Sequence, residues 1–124
     1  MKILVIGATG AIGREAAENL GARHEIVAAG RNHGEYRVDL AQPASITAVL
    51  KRIGKMDAIV CAAGNLHFGS LAEMTADQFN IGLQDKFLGQ VQLVLAGQHH
   101  LNDGGSFTLI TGILGIEPIR AGAN

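Results

Sequence analysis

Residues 1–15 read Met-Lys-Ile-Leu-Val-Ile-Gly-Ala-Thr-Gly-Ala-Ile-Gly-Arg-Glu, and no other stretch constrains the fold as much. Ile3 to Ile6 form a short apolar run of the kind needed by a strand buried on both faces. Glycines follow at Gly7, Gly10 and Gly13, and from Ile12 to about Ala22 the residues Ala16, Ala17 and Leu20 recur at helical spacing. A strand that enters a glycine turn and leaves it as a helix can cradle a pyrophosphate. Gly7 allows the tight turn, Gly10 a close backbone approach to the phosphates, and Gly13 close helix-on-strand packing. The helix start adds unpaired N–H groups and a positive dipole end. The spacing is G-x-x-G-x-x-G, not the commoner G-x-G-x-x-G. Gly7, Thr9, Gly10, Ala11, Ile12 and Gly13 are the candidate phosphate contacts; the alternative is a turn with a structural role alone.

After Gly21, His24 to Ala29 reads as a second strand, ending at Gly30. Chains that prefer NAD place Asp or Glu just beyond this strand, about 20 residues past the glycine turn, to bind the ribose 2′-hydroxyl. Here the place holds Arg31-Asn32-His33, with no adjacent carboxylate in the sequence. A guanidinium there can pair bidentately with a 2′-phosphate, which favours NADP(H) over NAD(H). Arg31 and Asn32 are the candidate contacts, against the reading of a solvated loop.

Further on, Tyr36 to Leu40 reads as a short edge strand. Pro43 opens a helix that carries Ile46, Val49, Leu50 and Ile53 and stops at Gly54. Asp57 to Cys61 is another buried strand. The small residues Ala62, Ala63 and Gly64 after it let a nucleotide lie across the strand ends. Asn65 to Glu73 is a loop. Thr75 and Gln78 have capping-box spacing and begin one long helix to about Leu101, roughly 40 Å at 1.5 Å per residue. Phe79, Leu83, Phe87, Val91, Val94 and Leu95 share its apolar face. Its adjacent His99 and His100 point in different directions and form no metal pair, so no metal site is expected. Asn102 to Gly105 make a turn, Ser106 to Thr111 a fifth strand, and Gly112 to Asn124 a loop.

Alternating strands and helices of this kind predict an α/β domain spanning residues 1–124. It is a Rossmann-like doubly wound parallel sheet of order 3-2-1-4-5, incomplete at its C-terminal end. With 10 basic and 11 acidic residues the chain has no cationic excess for nucleic acid. No apolar run is long enough to span a bilayer. The single Cys61 precludes an internal disulfide, which fits a cytoplasmic location.

In order and spacing these motifs resemble the short-chain dehydrogenase/reductase family, of which the chain looks like the N-terminal part. Ile6-Gly-Ala-Thr-Gly-Ala-Ile-Gly13 resembles the glycine turn of the family's extended and atypical branches. Arg31 resembles the basic residue of NADP-preferring members, and Asp39-Leu40 the acidic-apolar pair that contacts adenine. Cys61-Ala-Ala-Gly64 stands where members have Asn-Asn-Ala-Gly, so both Asn are lost. The resemblance implies hydride transfer to or from a carbonyl or alcohol, catalysed by Asn, Ser, Tyr and Lys. This chain departs from that set. Lys86 stands at the Asn position and Gly112 at the Ser position, with Thr111 the nearest hydroxyl. Tyr is expected at or just past the last residue, and no Tyr-x-x-x-Lys occurs. Lys86 and Thr111 are therefore the candidate catalytic residues, with His67 as a further substrate-side acid. Lys86 as a helix-surface lysine and His67 as a solvated loop residue are the plainer readings. Three functions remain open: an NADP(H)-dependent oxidoreductase, an inactive NADP(H)-binding or redox-sensing module, or the same fold holding another phosphorylated metabolite or a flavin. The long helix resembles the one through which family members dimerise, so a homo-oligomer through residues 75–101 is expected.

Overall fold

A computed structural model describes residues 1–124. Its centre is β1 (Lys2–Ile6), paired in parallel with β2 (Glu25–Gly30) on one side and β4 (Met56–Cys61) on the other. β3 (Tyr36–Arg37) lies outside β2, and β5 (Leu101–Thr108) lies outside β4. The sheet has five strands in the order β3-β2-β1-β4-β5, as the alternation of elements predicts.

β1 is central because its side chains are apolar on both faces. Leu4 and Ile6 join a cluster with Ile46, Leu50, Ile59 and Leu93, whereas Ile3 and Val5 face Ala17, Leu20 and Ile26. Full burial of each such Leu or Ile stabilises by roughly 1.5–3 kcal/mol. The first cluster is covered by α2 (Pro43–Ile53) and α4 (Gly89–Gly97), the second by α1 (Ala11–Gly21). α2 follows its sequence signals: Pro43 opens it, Lys51 and Arg52 suit the dipole at its end, and Gly54 leaves it at φ 81°.

Three expectations need correction. β3 stops after Arg37 instead of running to Leu40. Asp39 donates its N–H to Ser45 Oγ (2.9 Å) and accepts the Ala41 N–H on Oδ1 (3.0 Å), turning the backbone out of the sheet. β5 starts at Leu101 and ends at Thr108, so Thr111 lies beyond the strand. The turn expected at Asn102–Gly105 survives as an interruption inside β5. Asp57 alone separates two pairings on β4, while these four residues separate their partners Leu101 and Ser106. Gly104 sits there at φ 76°, and Asn102 Nδ2 donates to Asp57 Oδ1 at 2.8 Å.

The third correction concerns the long helix. α3 (Ala76–Gly82) gives way to a π-helical turn (Leu83–Leu88) before α4, and a 3-10 turn (Gln98–His100) ends the run. The capping box forms as expected, with Gln78 N–H donating to Thr75 Oγ1 and Thr75 N–H to Gln78 Oε1. The face that meets the rest of the chain is not the apolar one. Gly82, Asp85, Gly89, Gln90, Leu93 and Gly97 are buried, while Phe79, Leu83, Phe87, Val91 and Leu95 are exposed. Close approach explains the choice: a Cβ at Gly89 would stand 2.8 Å from Leu40 Cβ, and one at Gly97 3.0 Å from the Phe107 ring. No helix is long and apolar enough to cross a membrane.

Candidate nucleotide site and the cavity beside it

The carboxyl ends of β1, β2 and β4 open into a cleft of about 370 Å³. Among its lining residues are Gly7, Thr9, Gly10, Arg31, Asn32, Leu40, Ala63 and Gly64. The glycine turn is built as its spacing demands. Gly7 holds φ 85°, and its N–H donates to Ala29 O at 2.8 Å across the strand ends. A Cβ on Gly13 would fall 2.0 Å from Gly7 O, so only glycine lets α1 start against the turn. A Cβ on Gly10 meets nothing nearer than Gly7 O at 3.4 Å, which leaves its cleft side open. The first turn of α1 carries no acidic residue. The N–H groups of Ala11, Ile12 and Gly13 precede its first i−4 bond, Arg14 N–H to Gly10 O, and are free to hold an anion.

Ala11, Ile12 and Gly13 stand at the helix start outside the cleft lining, and Ile12 is largely exposed. Ala62 backs Gly7, its carbonyl 2.9 Å from the position of a Gly7 Cβ. Cys61 is buried beneath the strand ends, and burial pushes its thiol pKa up, so it stays protonated near neutral pH.

Arg31 is where tertiary structure most changes the picture. Its neighbours in sequence carry no carboxylate, but two arrive from elsewhere. Nη2 donates to Asp85 Oδ2 at 2.6 Å and to Asp39 Oδ1 at 3.1 Å. The Asp85 side chain is only 7% exposed, against 44% for Arg31 and 36% for Asp39. The hydrogen bond from Arg31 to Asp85 raises the guanidinium pKa above the ordinary Arg value. The expectation of a guanidinium without a competing carboxylate is thus wrong: it holds along the chain and fails in space.

Beyond Gly64 lies a second cavity of about 330 Å³, lined by Lys86, Gln90 and Thr111 together with Leu66, Phe87 and Leu114. The two candidate catalytic residues therefore share one cavity. Gly64, at φ 143°, leaves room for the Lys86 stem: a Cβ there would lie 2.9 Å from Lys86 Cγ. Gln90 anchors the segment that carries Thr111. Its Nε2 donates to Ile110 O and Lys86 O, each at 2.9 Å, and its Oε1 accepts the Ile110 N–H at 2.9 Å. Asn124 Oδ1 accepts the backbone N–H groups of His67 (2.7 Å) and Gly82 (3.2 Å) on the far wall. His67 itself is not among the residues lining this cavity. Tyr36 lies at the opposite sheet edge, its ring 5.3 Å from the Arg52 guanidinium carbon.

Sequence reading missed Asp85 and Gln90. A signal existed: both fall among Gly82, Gly89 and Leu93 at spacings of three and four, a small-residue face suited to close packing. The larger apolar residues on the other face carry the stronger periodic signal.

A parallel sheet in this order, with a glycine turn that opens a helix at its carboxyl edge, defines a dinucleotide-binding domain of the short-chain dehydrogenase/reductase type. Residues 3–94 match the sequence profile of the NAD dependent epimerase/dehydratase family, and the chain belongs to that family. Among solved structures, the protein lin1944 from Listeria innocua is 44% identical, with a TM-score of 0.97 over 99% of this chain. A small-chain dehydrogenase in complex with NADPH is 27% identical, with a TM-score of 0.88 over 98% of the chain. A short chain dehydrogenase family protein from Francisella tularensis, 20% identical with a TM-score of 0.86 over 98% of this chain, shares the fold. The chain spans 62%, 55% and 55% of these three structures. No curated protein matches it significantly.

Proposed function

We propose that the chain is the nucleotide-binding part of an NADP(H)-dependent oxidoreductase acting on a carbonyl or alcohol. The observation that carries this reading is the open cradle formed by Gly7, Gly10 and the start of α1, with Arg31 at the other end of the same cleft. The residues present fit a dinucleotide: Gly10 leaves a side open to a diphosphate, and α1 brings unpaired N–H groups. The small Ala63 and Gly64 leave room across the strand ends. The NADPH-bound relative, at 27% identity, supports the choice of cofactor.

When bound, the nicotinamide supplies or accepts a hydride. The chain's own residues bind and orient. Gly7, Thr9, Gly10, Ala11, Ile12 and Gly13 hold the diphosphate, Arg31 and Asn32 the adenosine ribose end, and Asp39 and Leu40 flank the adenine. Ala62, Ala63 and Gly64 give the middle of the cofactor its passage. Lys86 brings a cation, and Thr111 a hydroxyl, to the cavity next to Gly64, where each can donate a hydrogen bond to a substrate oxygen. The exposed apolar stripe on α3, the π-helical turn and α4 is the surface through which two copies of the chain associate.

The test is NADPH oxidation followed at the nicotinamide absorbance band over a panel of aldehydes and ketones, with calorimetric titration of NADPH in parallel. Turnover supports the enzyme. Tight NADPH binding without turnover selects the second reading, a non-catalytic NADP(H)-binding or redox-sensing module. That reading is favoured by Lys86 and Gly112 at the Asn and Ser positions of the catalytic set. Absence of NADPH binding sinks both.

A further inference from the structure

The end of the cleft that chooses between cofactors holds one cation and two anions. Arg31 contributes +1 and Asp39 and Asp85 −1 each, so the cluster's formal charge is −1. Asp85 is the nearer and the more deeply set carboxylate, at 2.6 Å with its side chain 7% exposed. It sits on the π-helical turn between Gly82 and Gly89, and at Gly89 the helix packs so closely on Leu40 that an added Cβ would lie 2.8 Å from Leu40 Cβ. With its side chain buried, Asp85 is held to Arg31, because a buried carboxylate left without its cation is strongly disfavoured.

We propose that Asp85 is a specificity-determining residue for the cofactor: its buried carboxylate competes with a ribose 2′-phosphate for Arg31, so the chain accepts NADH as well as NADPH. This inference rests on the reading above, that a dinucleotide occupies the cleft with its adenosine ribose at Arg31. Both ion pairs use Nη2, which leaves the Nη1 and Nε donors to meet a phosphate. The phosphate is admitted, but against an anion already in contact with the same guanidinium. A ribose carrying a 2′-hydroxyl meets no such opposition, because a hydroxyl can donate to a carboxylate where a phosphate is repelled. Asp85 thus reduces one preference and leaves the other nearly untouched.

NADPH and NADH are titrated separately against the wild-type chain, Asp85→Asn, Asp85→Ser, Arg31→Gln and the Arg31→Gln/Asp85→Asn pair, with thermal melting as the folding control. The wild-type chain binds both, NADPH favoured by no more than about tenfold. Asp85→Asn raises the NADPH-to-NADH affinity ratio by about tenfold, since neutralising a carboxylate in contact with a phosphate-binding cation removes a direct competitor. In the Arg31→Gln background the same change leaves the ratio where it was, and a rise that needs Arg31 is a result that a purely structural role for Asp85 does not produce. A ratio that stays flat or falls in Asp85→Asn overturns the inference. Should that variant not fold, Asp85→Ser is read the same way, and a wild-type preference for NADPH above about a hundredfold overturns it without any variant. If the wild-type chain binds neither nucleotide, the cofactor reading itself has failed. Binding of both with an unmoved ratio fails this inference alone.

Discussion

At Gly10 and Gly13 an added methyl group meets opposite fates, and the pair separates folding from binding. A Cβ at Gly13 would overlap Gly7 O at 2.0 Å, whereas at Gly10 it makes an ordinary contact at 3.4 Å. Gly13→Ala should therefore lower stability by about 3 kcal/mol, the upper end of the usual overpacking range, as read from urea unfolding. Gly10→Ala should keep the unfolding free energy within a few tenths of a kcal/mol of wild type and lose at least tenfold in NADPH affinity. Unchanged binding in Gly10→Ala would show that no diphosphate lies against that residue. At this scale the candidate contacts Gly7, Gly10 and Gly13 were legible in the sequence, because their requirement is local: a φ, a short turn, a helix start. Arg31 was legible only by half. Its place after β2 follows from the order of elements, but its partners lie 8 and 54 residues away, beyond any local pattern.

Among elements, the broken helix governs both cavities. Its π-helical turn directs Asp85 to the nucleotide cleft and Lys86 to the neighbouring one, two consecutive residues serving different spaces. Such turns cluster at functional sites because they alter the angular spacing of side chains on an otherwise regular helix. One turn on, Gln90 holds Ile110 by both its N–H and its C=O. Gln90→Leu keeps the volume and removes three hydrogen bonds, leaving backbone groups of Ile110 and Lys86 without partners in a largely buried position. The expected cost is about 2–3 kcal/mol. Amide exchange at Ile110 should quicken by more than the global loss predicts; equal protection before and after would show that Gln90 does not fix the Thr111 segment. Sequence periodicity placed a helix over this span without its π-helical and 3-10 interruptions, and it grouped the larger apolar residues on one face without showing that the opposite, small face packs inward. Gly82, Gly89 and Gly97 allow a closer approach than Phe or Leu could, so the small face packs inward.

For the whole molecule, the consequence is an apolar surface facing outward. Phe79, Leu83, Phe87, Val91 and Leu95 run along one side, with Phe87 60% exposed. They continue into an open groove of about 460 Å³ that also takes in Leu109 and Ile110. Exposed stripes of this kind are characteristic of protein–protein contacts. If this surface joins two copies, Phe87→Glu should convert the assembly to monomer in analytical ultracentrifugation, because burying an unpaired charge at a contact centre costs several kcal/mol. A wild-type chain that sediments as a monomer at high concentration would sink that arrangement.

Strand order, the glycine turn and the helix that follows it came from sequence alone, for a physical reason. An apolar run buried on both faces, a positive φ and a helix start are each specified by residues within a few positions of one another. The charge around Arg31, the face that α4 turns inward and the cavity shared by Lys86 and Thr111 were decided only by the folded chain. Each depends on how closely two distant backbones can approach. For α4 that distance is set by Gly89 and Gly97, and no pattern along the sequence records which partner those glycines will meet.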